Sequence, residues 1–156
     1  MLKFATLLFS ASMLIYAADP FAGTWKLNAS KSTAKAGSLP KDQLVTISES
    51  GGNLDTNVTS TPATGSAVSY HYTVPAKGGI GDVSLQRGES SPGGFDAVTS
   101  KRPNDATRDL RFTRNGQEVR TVHSVVSSDG KTMHVTVKGK DAFGNPVNVV
   151  MVMEKQ

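Results

Sequence analysis

The chain has 156 residues, of which 37% are hydrophobic and 19% charged, with 15 Gly, 7 Pro and no Cys. That length suits one domain, and the lack of Cys excludes a disulfide framework, a thiol nucleophile, a Cys-ligated zinc and a lipid-modified Cys anchor. The formal charge is +4, one unit of it from Lys3, which is well short of a nucleic-acid-binding composition.

Residues 1–17 read as a secretory signal peptide. Lys3 provides a short basic start, the stretch from Phe4 to Ala17 is apolar except for small polar residues, and small residues follow. Cleavage after Ala17 leaves Ala17 and Ile15 at the small-residue positions, whereas cleavage after Ala18 puts the bulkier Tyr16 there, so the first is preferred. About 14 apolar-rich residues are too few for the ~20 that span a bilayer. The expectation is an exported bacterial protein, periplasmic or secreted, with residues 18–156 forming one domain and no integral membrane insertion of the mature chain. Asn28-Ala29-Ser30 and Asn57-Val58-Thr59 are glycan acceptors only in a host that glycosylates.

From Ala18 onward, 16 Val and 14 Thr outnumber 6 Leu and 2 Ile. Branched Cβ atoms restrict χ1 and suit a pleated surface better than a helix. Short alternating runs separated by turn residues predict strands at 23–28, 43–48, 54–59, 67–74, 82–87, 95–101, 109–114, 118–127, 132–138 and 146–155. The segment 29–40 reads as a polar loop, and 75–81 and 88–94 as Gly-rich, mobile connections.

Tight turns fix the register in the C-terminal third. Ser128-Asp129-Gly130-Lys131 is a hairpin turn, because Asp-Gly readily takes positive φ. Pairing Ser127 with Thr132 sets Val122 opposite Val137, Ser124 opposite Val135 and Val126 opposite Met133. The loop Asp141-Ala142-Phe143-Gly144-Asn145 then sets Val137 opposite Val149, Val135 opposite Met151 and Met133 opposite Met153. One face is thus almost wholly apolar, and the other carries Thr121, His123, His134, Thr136, Lys138 and Asn148. A third hairpin at Asn115-Gly116 places Phe112 opposite Val119. Val119 and Val122 cannot both face inward on an unbroken strand, so a β-bulge is predicted near Arg120 and Thr121.

Antiparallel strands with one apolar face each must close or stack, and closure removes exposed edges. Short up-and-down turns favour an all-β antiparallel barrel of about eight to ten strands over a sandwich. A porin-like barrel has an apolar outer band, which Thr, His, Lys and Asn do not supply.

The run Phe21-Ala22-Gly23-Thr24-Trp25-Lys26-Leu27 resembles the first strand of the lipocalin and fatty-acid-binding superfamily, with its Gly-x-Trp mark. The stretch 125–146 is similar to small exported bacterial lipocalin-like proteins. The resemblance implies that Gly23 permits a tight entry to the first strand and that Trp25 closes the barrel bottom. It also implies reversible binding of a small apolar or amphipathic molecule inside the barrel. No Thr-Asp-Tyr motif, no helical lid after the first strand and no C-terminal helix are legible, which leaves an open-mouthed cavity.

The residues themselves point the same way. Val68, Tyr70, Tyr72 and Val74 share a strand face, so two phenols enter the barrel if that face is inward. With Phe112, Met133, Val135, Met151 and Met153 they make the candidate lumen. Catalysis is not expected: there is no Gly-x-Ser-x-Gly elbow, Glu49, Glu89 and Glu118 share no evident cleft, and Gly78-Gly79-Ile80-Gly81 is no phosphate loop. His123 and His134 are diagonal neighbours without a carboxylate at a matching position, so neither metal nor cofactor is expected. Lys101, Arg102, Arg108, Arg111, Arg114 and Arg120, offset by Asp105, Asp109 and Glu118, read first as a solvated strand face, with an anionic ligand head group, an acidic partner or a membrane surface as the functional alternatives. The alternative function is an exported barrel that meets a protein partner, as a protease inhibitor does, through that face and the loops.

Overall fold

The computed structural model describes residues 18–84, 94–140 and 144–156. The expected signal peptide lies outside these residues, as do Glu89 and most of the 88–94 connection.

Ten strands follow in chain order: β1 (Gly23–Ala36), β2 (Asp42–Ser50), β3 (Asn53–Thr61), β4 (Val68–Pro75), β5 (Gly79–Ser84), β6 (Ala97–Asn104), β7 (Thr107–Arg114), β8 (Gln117–Val126), β9 (Thr132–Lys140) and β10 (Pro146–Lys155). Each pairs antiparallel with its neighbours, and β1 meets β10 to close an up-and-down barrel, as expected. Period-two burial shows why the sheet closes: Val45 and Ile47 on β2, Leu54, Thr56 and Val58 on β3, and Arg108, Leu110 and Phe112 on β7 all turn inward. Burying each large apolar side chain contributes about 1.5–3 kcal/mol.

The predicted pairings across β8, β9 and β10 hold, from Val122↔Val137 to Met133↔Met153. The β7–β8 pairing differs by one residue. Thr113 pairs with Glu118 and Phe112 with Arg120, so Val119 is the extra residue and Phe112 does not oppose it. The bulge sits one position earlier than the sequence suggested. Gly139 accommodates it: at φ +125° an added Cβ would lie 2.3 Å from the Val119 carbonyl oxygen.

Two expected loops are partly strand. Residues 29–36 continue β1, with a register shift between Asn28 and Thr33. There the Ser32 hydroxyl accepts the Val152 N–H at 2.9 Å and donates to the Asn28 carbonyl at 2.7 Å, replacing the interrupted ladder. Gly79–Gly81, expected in a mobile connection, opens β5 and pairs with β6. Gly81 passes so close to β4 that a Cβ would come within 2.2 Å of the Thr73 carbonyl oxygen, which explains glycine in a strand.

One end of the barrel is plugged. Phe21 and Trp25 are fully buried, and the Trp25 indole N–H donates to the Phe21 carbonyl at 2.8 Å. Gly23 lies against Lys155, whose Cε would be 2.5 Å from an added Cβ, and the Lys155 ammonium sits 5.1 Å from the Trp25 ring centre. Asp19 ties the arm down through Arg102 Nη1 at 2.8 Å, both side chains being 9% exposed.

Candidate functional site

A cavity of about 480 Å³ runs along the barrel interior, within the range of small-molecule sites. At one end it reaches exposed residues of the β1–β2 and β3–β4 connections, among them Gly37, Ser38 and Thr64. At the other it reaches Arg108, Ser124, Met133 and Met153, above the Phe21–Trp25 plug. The seven residues expected in the lumen, Tyr70, Tyr72, Phe112, Met133, Val135, Met151 and Met153, all line this one space. Gly23 and Trp25 do not line it and belong to the plug.

The β4 face does turn inward and builds an aromatic wall. Tyr70 and Tyr72 stack with centroids 6.3 Å apart, and Phe95 and Phe112 meet them edge-on at 5.3 and 5.4 Å. Such edge and offset contacts fix ring positions more tightly than aliphatic packing does. Opposite them Val135, Val137, Val149 and Met151 form an aliphatic wall.

The two lumen arginines, Arg108 and Arg120, belong to the basic cluster that the sequence assigned first to a solvated face and not to the lumen. Arg108 is 3% exposed, lines the cavity, and makes no hydrogen bond from Nε or Nη1 among the described residues. Burial lowers its pKa, opposed by the neighbouring Tyr72 hydroxyl and, more weakly, by Asp19. Its carbon Cζ lies 4.8 Å from the Phe21 ring centre, and that of Arg102 lies 4.9 Å from the same ring. On the inward face of β3 the Thr56 hydroxyl is also buried without a partner among the described residues, but Thr56 does not line the cavity. Buried polar groups without partners are exceptional, and Arg108 is the one of the two that faces the cavity.

Arg120 is the second lumen cation. Its Nε and Nη2 donate to the Lys140 carbonyl at 3.1 and 3.0 Å, and its guanidinium lies 5.9 Å from the Phe95 ring centre. Burial pushes the Tyr70 hydroxyl above its ordinary pKa, and Arg120 partly offsets this. No carboxylate stands among the described residues that line the cavity. The expected solvated basic face is therefore divided. Arg102 and Arg108 are buried and Arg120 enters the lumen, while Arg111 stays outside, paired with Glu118 at 2.7 Å. Strand alternation is the reason: Arg108, Leu110 and Phe112 share one face.

His71, His123 and His134 lie on the outer surface, and His123, expected to lack a carboxylate at a matching position, has one, as does His71. His123 Nδ1 meets Asp109 Oδ1 at 2.5 Å across β7 and β8. The Val119 bulge shifts the register so that these two residues face each other. His71 contacts Ser84 Oγ through Nδ1 at 2.7 Å and Asp55 Oδ1 through Nε2 at 3.2 Å, and Thr73 donates to the same oxygen at 2.6 Å. This network stitches β3, β4 and β5 on the side of the sheet away from the cavity.

No family model matches the chain, and no curated protein matches it. Among solved structures it is similar to zebrafish ileal bile acid-binding protein complexed with cholic acid. The two share 12% identity with a TM-score of 0.45, over 88% of this chain and 99% of that one.

Proposed function

We propose that the chain is an exported, non-enzymatic binding protein that reversibly takes up a small amphipathic molecule in the barrel, with an anionic group of that molecule against Arg108. The carrying observation is the buried guanidinium with two unpartnered nitrogens at the deep end of a cavity walled mostly by apolar and aromatic side chains. An unpaired buried charge is costly, and a carboxylate, sulfonate or phosphate there offsets the cost through charge-assisted hydrogen bonds. The apolar walls hold the rest of the molecule by excluding water. A protein-binding barrel packed solid with side chains needs no such space, so the cavity favours the ligand reading.

The test uses the only Trp of the chain. The protein is unfolded, stripped of small molecules and refolded, and native and refolded samples are compared by intact mass and Trp25 fluorescence. A co-purifying anionic amphipath whose return restores the native spectrum supports the reading. Absence of extra mass, together with no saturable binding of dodecanoate, dodecanol or dodecanedioate, overturns it.

A further inference from the structure

The lumen contains two cations. Arg120 shares its parity with Val122, Ser124 and Val126, so alternation along β8 carries it to the inner face opposite Phe112, and the Val119 bulge, with Gly139 at φ +125° against the Val119 carbonyl, reconciles that face with the Asn115-Gly116 hairpin. Arg108 pairs with Ser124 and Phe112 with Arg120, so the two arginines sit four residue steps apart along adjacent strands. At strand rise that is about 13 Å. Between them lies the apolar pair Leu110↔Val122, both residues lining the cavity. The Tyr70 ring stands on the β4 wall, close enough for Arg120 to influence its hydroxyl.

We propose that the ligand is a dianion: an elongated apolar skeleton with one anionic group held by Arg108 at the floor and a second held by Arg120 and the Tyr70 hydroxyl nearer the rim. This rests on the lumen being a ligand site and narrows the ligand class. A monoanion leaves one of the two lumen guanidiniums without an anionic partner, whereas an elongated dianion long enough for the roughly 13 Å backbone spacing of the two positions meets both and keeps its apolar body against Leu110 and Val122. A long-chain α,ω-dicarboxylate has this form.

The experiment is calorimetric titration of the refolded protein with dodecanedioate, dodecanoate and dodecanol, repeated on Arg120→Met, Arg120→Lys and Arg108→Met. Support is a dodecanedioate affinity about tenfold or more above that of dodecanoate, a preference lost in Arg120→Met and retained in Arg120→Lys. Arg108→Met is expected to weaken both acids. The lysine variant separates a charge effect from a structural role of Arg120 at the Lys140 carbonyl. Equal affinities for the two acids in the unmodified protein overturn the dianion while leaving the ligand-binding barrel standing. Failure of all three probes to bind overturns both readings.

Discussion

The Arg108 guanidinium sits 4.8 Å from the centre of the fully buried Phe21 ring, while Nε and Nη1 of the same group have no hydrogen-bond partner among the described residues. The aromatic face attracts the cation, an interaction worth about 2 kcal/mol when desolvated. It does not replace the water that the nitrogens lost. Arg108 is thus a buried charge only partly compensated in the described structure, and the proposed anion would complete its partners.

Arg108→Met follows from this. Methionine fills similar space without a charge, so the ligand-free protein is expected to gain about 1 kcal/mol of stability and to lose at least about tenfold in affinity for anionic amphipaths. Urea unfolding and calorimetric titration on the same samples check both halves. A variant that loses stability and keeps its affinity contradicts the role given to Arg108.

Asp19 and Arg102 behave differently, because their charges are paired. Arg102 also donates to the Ala76, Asn104 and Asp105 carbonyls at 3.2, 3.1 and 2.6 Å, so each side chain is held from several directions. Asp19→Asn keeps the shape and removes the charge, leaving a largely buried guanidinium uncompensated. A loss of about 2 kcal/mol is expected, below the full cost of breaking a buried pair because the carbonyl contacts persist. Urea unfolding monitored by Trp25 reads it directly. The exposed Lys31–Glu154 pair, 63% and 41% exposed, is the control and is expected to contribute nothing measurable.

The barrel and its apolar wall were legible because the Asp129-Gly130 turn, the short 141–145 loop and strict alternation at Met133, Val135, Val137, Val149 and Met151 fix register by themselves. The polar end of the lumen was not. A one-residue bulge at Val119 decides that Asp109 faces His123 and that Phe112 faces Arg120, and Gly139, a residue of the next strand, makes room for it. Arg108 shares its parity with Leu110 and Phe112, which was the available signal, but composition argues against a buried Arg. Residues 29–36 carry no alternation to read, since most of them are exposed; their pairing with β10 comes from closure of the barrel, a long-range effect.

The bulge can be tested directly. Gly139→Ala puts a Cβ 2.3 Å from the Val119 carbonyl oxygen at a φ that L residues rarely adopt. Strain and the clash together are expected to cost about 3 kcal/mol. The equivalent change at Gly130, where an added Cβ meets nothing within 4 Å, carries only the strain of its φ of +69° and is expected to cost about 1 kcal/mol. Equal losses at the two sites, measured by urea unfolding, would show that the bulge imposes no close approach.

Tyr70 gives the pH dependence. Burial raises its pKa above the ordinary value of 10.0, with Arg120 opposing the shift incompletely. In the unfolded chain the phenol releases its proton near pH 10, whereas in the folded barrel it keeps the proton to higher pH. Between those two points the folded state binds more protons than the unfolded one, so stability falls as pH rises. Well below pH 10, where both states keep the proton, the group contributes no slope. Unfolding free energies from pH 8 to 11 are therefore expected to decline more steeply for the unmodified protein than for Tyr70→Phe, with the curves running parallel below about pH 9. An absorbance titration of the phenolate band checks the same point, since the Tyr70→Phe variant is expected to lack the component that titrates latest. If the two proteins decline in parallel over the whole range, the Tyr70 hydroxyl is solvated in the folded state, and its proposed part in holding the second anion fails with it.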